Sequence, residues 1–329
     1  MQSADANPTL PREESRLRHF PISFFAVVMG LAGLTIAWKR AEVVFHPPFA
    51  VSCFLEFAAV AAFVAIGLPY LWKLASFPAD VMKEWRHPVK LNFFPTISIG
   101  LVLLSIVLVE RYFEAARWIW ITGSGMHLAF TLYVMSVWIH RTGIEIAHVN
   151  PAWFIPVVGN VLVPIAGVRF FPAEVSWFFF SVGIVFWVVL FTIVLYRLFF
   201  HASLPERLMP TLFILVAPPA VGSIAWFALN GSIDAFARVL YYTALFLTML
   251  LASNALRFLR LRFYLSSWAY TFPLAAVTIA TLMMARQVGG VGFEWIGLGL
   301  LAVLTLVVAA LVARTVVAIA RREICVEET

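Results

Sequence analysis

The stretch PAWFIPVVGNVLVPIAGV, residues 151–168, is followed after a short break by AEVSWFFFSVGIVFWVVLFTIVLYRL, residues 173–198. Each run is long enough to cross the hydrocarbon core of a bilayer, which takes about 20 apolar residues in a helix. The break between them leaves room only for a turn, so the pair reads as an antiparallel hairpin. The first run holds Pro156 and Pro164 in its interior, and the second holds no proline. Proline removes a backbone donor and bends a helix. In lipid the freed carbonyl must be satisfied by protein or by a water-filled cavity. The bent member is therefore expected to face inward and the straight member outward.

The same criteria applied along the chain give ten spans, near 20–38, 48–72, 89–109, 115–139, 151–168, 173–198, 208–229, 233–256, 263–285 and 291–313. Interior prolines recur only in odd-numbered spans: Pro95, Pro156, Pro164, Pro218, Pro219 and Pro273. Even-numbered spans have only Pro69, near an end, and the terminal Pro48. The pairs Phe94-Pro95, Ile155-Pro156, Ala217-Pro218 and Phe272-Pro273 lie 61, 62 and 55 residues apart, about one hairpin each. Span 1 offers Val27-Val28, then Met29, Gly30 and Gly33, at the comparable depth and is a degenerate member without proline. The pattern predicts an all-α integral membrane protein of five helical hairpins with pseudo-fivefold symmetry. Kinked odd-numbered helices would form an inner ring around a central pore. Proline is common in membrane helices generally, but that alone does not confine it to alternate spans.

Composition agrees. Hydrophobic residues are 63% and charged residues 12%, with a mean hydropathy of +0.94, whereas soluble domains are about 25% charged. The net charge of +6 is not a nucleic-acid signature, because no long basic run occurs and basic residues of membrane proteins gather in cytoplasmic loops. With both termini cytoplasmic, only Lys39, Arg40, Arg111, Arg117, Arg169, Arg238 and Arg286 fall outside, leaving 16 of the 23 Lys and Arg inside. Residues 1–19 read as a short cytoplasmic tail, 20–313 as a ten-helix transmembrane domain and 314–329 as a second cytoplasmic tail. A cleaved signal peptide does not fit, because the apolar region from Phe20 runs too long and ends in Trp38-Lys39-Arg40. Trp38, Trp72, Trp118, Trp120, Trp138, Trp153 and Trp177 sit near span ends, where an interfacial aromatic belt is expected.

No catalytic or metal-binding motif emerges, so neither an enzyme nor a cofactor is expected. Cys53 and Cys325 are too few and too separated for a disulfide framework or a metal site. His127, within span 4, reads as a hydrogen-bonded packing residue. Glu56, inside span 2, has two readings: a coupling carboxylate for protons, or a glutamate bonded between packed helices. Asn160 lies in the proposed inner ring. That ring carries almost no charge, so it cannot hold an ion by direct pairing. It suits weakly hydrated monovalent anions gathered by basic residues at its mouth, with Lys90, Arg257, Arg260 and Arg262 as cytoplasmic candidates, and a bulky aromatic can close such a path by dewetting.

His87-Pro88-Val89-Lys90 followed by Asn92-Phe93-Phe94 resembles the HPV(R/K)xNF segment that opens the third span of the tellurite-resistance/dicarboxylate transporter family. That family includes the bacterial TehA proteins and the plant guard-cell slow anion channels. Asn150-Pro151 with Pro156-Val157-Val158-Gly159-Asn160 resembles its fifth span, and Trp268-Ala269-Tyr270-Thr271-Phe272-Pro273 its ninth. The resemblance covers essentially all ten spans. It implies a homotrimer in a bacterial inner membrane with one pore per protomer, five inner helices within five outer ones, and a ninth-span phenylalanine, here Phe272, occluding the pore. Val28, Gly30, Pro95, Pro156, Asn160, Pro218 and Pro273 are the expected kinks and pore lining. Val28 stands where bacterial relatives tend to have a kinking proline. The leading expectation is a gated channel for chloride or nitrate. The alternative is a carrier for C4-dicarboxylates, tellurite or a related oxyanion, proton-coupled through Glu56. A structural or sensor protein is a third class, for which kinked inner helices have no evident use.

Overall fold

The computed structural model describes residues 16–325, so most of the expected N-terminal tail (Arg12 included) and residues 326–329 lie outside the description. Thirteen α-helices occur among the described residues. They are α1 Phe25–Phe45, α2 Val51–Ser76, α3 Pro78–Arg86, α4 Thr96–Leu108, α5 Phe113–His140, α6 Phe154–Val158, α7 Val163–Phe170, α8 Ala173–Phe200, α9 Ala217–Asn230, α10 Ala235–Ala252, α11 Ala255–Leu259, α12 Thr271–Gln287 and α13 Val291–Ala320. No strand accompanies them among the described residues. Short 3-10 segments precede or interrupt the odd-numbered spans, at Ile22–Phe24, Lys90–Phe93, Pro151–Trp153, Gly159–Leu162, Glu206–Leu215 and Leu265–Tyr270. Most of these lie beside the prolines. The missing donors break the α-helical hydrogen-bond pattern there and the backbone tightens instead.

Nine stretches among the described residues are long and apolar enough to cross a membrane. The less apolar α5, 28 residues long, is a further membrane-length rod. The chain is thus an all-helical multi-pass membrane protein. Burial divides the stretches into two classes. The five that contain 3-10 turns, Ile22–Phe45, Lys90–Leu108, Pro151–Phe170, Glu206–Asn230 and Leu265–Gln287, are 61–89% buried. Val51–Ser76, Ala173–Phe200, Ala235–Ala252 and Val291–Ala320 are 22–33% buried. Contacts among the buried class run α1 to α4, α4 to α7, α7 to α9, α9 to α12 and α12 back to α1. The poorly buried helices each lie over a groove of this circuit: α2 over α1 and α4, α5 over α4 and α7, α8 over α7 and α9, α10 over α9 and α12, α13 over α12 and α1. Close approach explains one glycine. A Cβ on Gly183 of α8 would stand 2.3 Å from Val161 Cγ2 and 2.8 Å from the Val161 backbone nitrogen.

Several boundaries differ from the sequence reading. The first span, ended at residue 38 by Lys39-Arg40, continues as helix to Phe45. Lys39 is tolerated there because its ammonium meets the Glu56 carboxylate at 2.9 Å and donates to the Val107 carbonyl at 2.6 Å. The last helix continues to Ala320, so residues 314–320 of the expected tail are helical. Trp120 and Trp153, placed near span ends, are buried against the protein. Trp120 Nε1 donates to the Val163 carbonyl at 2.9 Å and Trp153 Nε1 to that of His148 at 3.1 Å.

Candidate pore and constriction

Two small cavities lie inside the circuit, of about 50 Å³ and about 30 Å³. All five buried stretches contribute residues to both. Met29, Ile99, Phe154, Ile214 and Phe272 represent them in the first, and Gly33, Leu103, Ile165, Ile224 and Phe272 in the second. Three side chains are common to the two cavities: Leu162, Val221 and Phe272. They form the constriction between them. Each cavity is the size of one or two water molecules, taking about 30 Å³ as a water's share of the liquid. The first is lined entirely by apolar residues and glycine. Apolar lining of this kind disfavours water.

Phe272 sits in the first turn of α12 beside Pro273 and is half-buried. Gly33 of α1 makes room for it: a Cβ there would lie 3.6 Å from Phe272 Cδ2 and 2.8 Å from Ala275 Cβ. Phe94, the matching pre-proline residue of the third span, does something else. It lines neither cavity and packs edge-on against Trp85, ring centroids 4.6 Å apart, and against Tyr70 at 6.4 Å.

Of the other expected lining residues, Pro218 lines the first cavity. Val28, Gly30, Pro95, Pro156, Asn160 and Pro273 line neither. Val28 faces Gly100 of α4, and Gly30 abuts α12, where a Cβ would stand 2.3 Å from Thr271 Oγ1. Asn160 turns toward α5 and donates to Thr131 Oγ1 at 2.9 Å. Thr131 in turn donates to the Pro156 carbonyl at 2.7 Å. Ser98 Oγ donates to the Pro95 carbonyl at 2.8 Å and lies 2.9 Å from His127 Nδ1. His127 is thus a buried, hydrogen-bonded residue behind Gly159. Glu56 is buried at 4% exposure between α2 and α1, paired with Lys39, and lines neither cavity.

Charge gathers at both ends of the circuit. At one end a vestibule of about 190 Å³ is lined by Lys90 and Arg207, with Glu84, His87 and Ser266. Arg257, Arg260 and Arg262 are exposed and do not line it; the Arg262 backbone N–H donates to Glu206 Oε1 at 3.3 Å. At the other end Arg40 lines the second cavity, within electrostatic range of Arg169, Arg286 and Glu110. Sequence reasoning did not single out Arg207 or this arginine group. The four basic residues are far apart in the chain, and only their shared mouths unite them.

The profile of the family described as SLAC1, voltage-dependent anion channel, matches residues 19–316. The chain is 31% identical over 309 residues to the S-type anion channel SLAH2 of Arabidopsis thaliana, covering 91% of this chain and 59% of that protein. It is 32% identical over 308 residues to SLAH3 of the same plant, covering 92% of this chain and 48% of that one. It is 26% identical over 261 residues to the tellurite resistance protein TehA homolog of Haemophilus influenzae, covering 78% and 79%. The chain therefore spans about half the length of the plant relatives it matches.

Proposed function

The chain belongs to the SLAC1 family of voltage-dependent anion channels, and we propose on that footing that it is a gated channel for monovalent anions such as chloride or nitrate, closed by Phe272. The observation that carries the reading is the position of Phe272 in the lining of both cavities, to which all five buried stretches contribute. The arginines and lysine at both mouths raise the local concentration of anions without binding them in the neck. Passage then follows ease of dehydration. The closed circuit of contacts, with one outer helix over each groove, supports five hairpins related by a pseudo-fivefold axis. The charge bias supports cytoplasmic termini, with the Lys90 mouth facing inward. A bacterial inner membrane and a homotrimer with one pore per protomer complete the proposal.

The carrier reading rests on Glu56, and the geometry disfavours it. Its carboxylate is neutralised by Lys39 and is off the path.

The test is chloride and nitrate current in planar bilayers, comparing wild type, Phe272→Ala and Phe94→Ala. An ion entering an apolar neck bears a desolvation penalty of several kcal/mol, and each 1.36 kcal/mol removed is tenfold in rate. Wetting the neck by removing the ring should raise conductance on the order of a hundredfold. Phe94→Ala should leave it near the wild-type level. Equal currents in all three proteins, or saturable dicarboxylate uptake by wild type alone, would overturn the channel reading.

A further inference from the structure

A cavity of about 480 Å³ lies outside the pore circuit, between α3 and the last turns of α5. Arg86, His140 and Arg141 line it together with Trp85, Tyr133 and Ser136, and no acidic residue is among its lining. The donors are held in place by the protein itself. Arg141 Nη1 donates to the Arg86 carbonyl at 2.7 Å, which uses one of its five N–H groups and fixes the guanidinium. His140 Nδ1 lies 2.9 Å from the Ser136 carbonyl. Trp85 Nε1 donates to Tyr133 Oη at 2.7 Å, leaving the phenol proton to donate elsewhere.

The location selects the kind of anion. The cavity is at the end of a membrane-length helix, and the surfaces beside it are apolar: Leu132 is 64% exposed, Ile139 74% and Met82 of α3 46%. Tyr133 and Trp85 are side chains of the type that settles at headgroup depth. A basic, donor-rich hollow flanked by lipid-facing apolar surface matches a phosphodiester carrying acyl chains. A free inorganic anion would leave the apolar flank without a role. We infer that this cavity binds the phosphate headgroup of an anionic phospholipid. Arg86 and Arg141 pair with the phosphate, and the acyl chains lie along α5. Trp85, the wall of the site, is also the residue packed on Phe94 next to the Pro95 bend. The lipid therefore clamps α3 at the base of the third buried stretch.

The experiment is lipid retention by the full-length detergent-purified protein, read by native mass spectrometry. Phosphatidylglycerol and phosphatidylcholine are offered in equal amounts, with and without millimolar inorganic phosphate. Wild type should retain phosphatidylglycerol in preference, and phosphate should not displace it. Arg86→Gln should weaken retention about fivefold, the effect of one basic residue at a membrane surface. It leaves the backbone carbonyl that anchors Arg141 in place. Arg86→Gln with Arg141→Gln should abolish the preference, while Arg257→Gln with Arg260→Gln, exposed arginines outside the cavity, should keep it. If the double variant is not monodisperse, Arg86→Gln and His140→Gln decide in its stead. Retention unchanged in the Arg86 variants, or no preference over phosphatidylcholine, would overturn the site. Displacement by inorganic phosphate would make it a soluble-anion site and overturn the lipid assignment. None of these outcomes depends on whether the pore conducts.

Discussion

Replacing Glu56 by Gln separates a structural carboxylate from a proton-coupling one. Glu56 is 4% exposed and its carboxylate is 2.9 Å from Lys39 Nζ. Removing the negative charge strands the ammonium in a low-dielectric setting. Deleting one partner of a fully buried pair costs about 3–5 kcal/mol, because the remaining charge is uncompensated. Lys39 retains the Val107 carbonyl as acceptor and its side chain is 20% exposed, so a value near the lower bound, about 3 kcal/mol, is expected. Lys39→Met with Glu56→Leu removes both charges and should recover most of that loss, since a buried pair exchanged for apolar side chains is often neutral. The assay is thermal unfolding in detergent of wild type, Glu56→Gln, Lys39→Met, Glu56→Leu and the Lys39→Met/Glu56→Leu double, the last three closing a cycle with wild type. Anion flux is measured in parallel with and without a pH gradient. The expected result is a large non-additive coupling in stability, with flux per folded molecule unchanged and insensitive to the gradient. Unchanged stability of Glu56→Gln, together with loss of gradient-driven flux, would refute the structural assignment and restore the carrier.

Gly183→Ala should destabilise by about 1–3 kcal/mol, the range for overpacking, because the new methyl meets the Val161 backbone nitrogen, which cannot yield. Gly125→Ala, with nothing within 4 Å, should be neutral; the folded fraction in size-exclusion profiles distinguishes them. Arg40→Gln in the Phe272→Ala background should lower anion conductance about two- to threefold at low salt. The difference should vanish near 1 M, where the screening length falls to about 3 Å; a salt-independent effect would instead indicate a binding site. Asp80 accepts hydrogen bonds from Arg18 at 2.6 Å and Lys83 at 3.0 Å, which hold its carboxyl below the usual carboxylate range. The depressed value stabilises α3 fully above the ordinary carboxylate pKa of about 3.9. That contribution disappears as pH falls through the lower folded value. Hydrogen-exchange protection of α3 should therefore hold down to about pH 4 in wild type and fall as the pH is lowered further, whereas Asp80→Asn should show the lower protection already at neutral pH.

The parts of the fold legible in the sequence were those written in residue types with strong backbone consequences. Proline in alternate apolar runs marks which helices must have their carbonyls satisfied by protein, and those runs are the buried ones. Span ends set by charge were less legible. Lys39 looks like the end of a span until its partner is known, and that partner, Glu56, is on the next helix with a turn between them. Pairing across helices depends on register, which neither hydropathy nor periodicity carries. Phe272 was legible only through the family resemblance, since one phenylalanine among 31 has no intrinsic mark of a gate. Leu162 and Val221, which share the neck with it, had no signal at all. The mouth charges were legible as a set of basic residues, but not in their grouping. Lys90 meets Arg207 in the vestibule and Arg257, Arg260 and Arg262 do not, because α11 and the residues after it carry those three to the exposed surface.

The dryness of the neck and the bends of its walls have a common cause in where the polar groups sit. Bending a membrane helix frees backbone carbonyls, and water in a pore is one way to satisfy them. Here side chains of the protein donate to several carbonyls beside the bends. Thr131 of α5 donates to the Pro156 carbonyl, Trp120 of α5 to that of Val163, and Ser98 to that of Pro95. Asn160, the polar side chain nearest the bend, is drawn toward Thr131 rather than inward. With these groups answered from α5 and α4, nothing polar is required on the inner face of those stretches. The surface left for the lumen is Met29, Ile99, Val158, Leu162, Val221 and Phe272. On the proposed gating by Phe272, displacement of that one aromatic ring decides whether such an apolar lumen is wet. A Thr131→Val change therefore bears on the gate as well as on stability. It removes one side-chain hydrogen bond to the Pro156 carbonyl, at a cost of about 0.5–1.5 kcal/mol for a typical bond. Water entering to satisfy that carbonyl would place a polar site beside a neck that now has none.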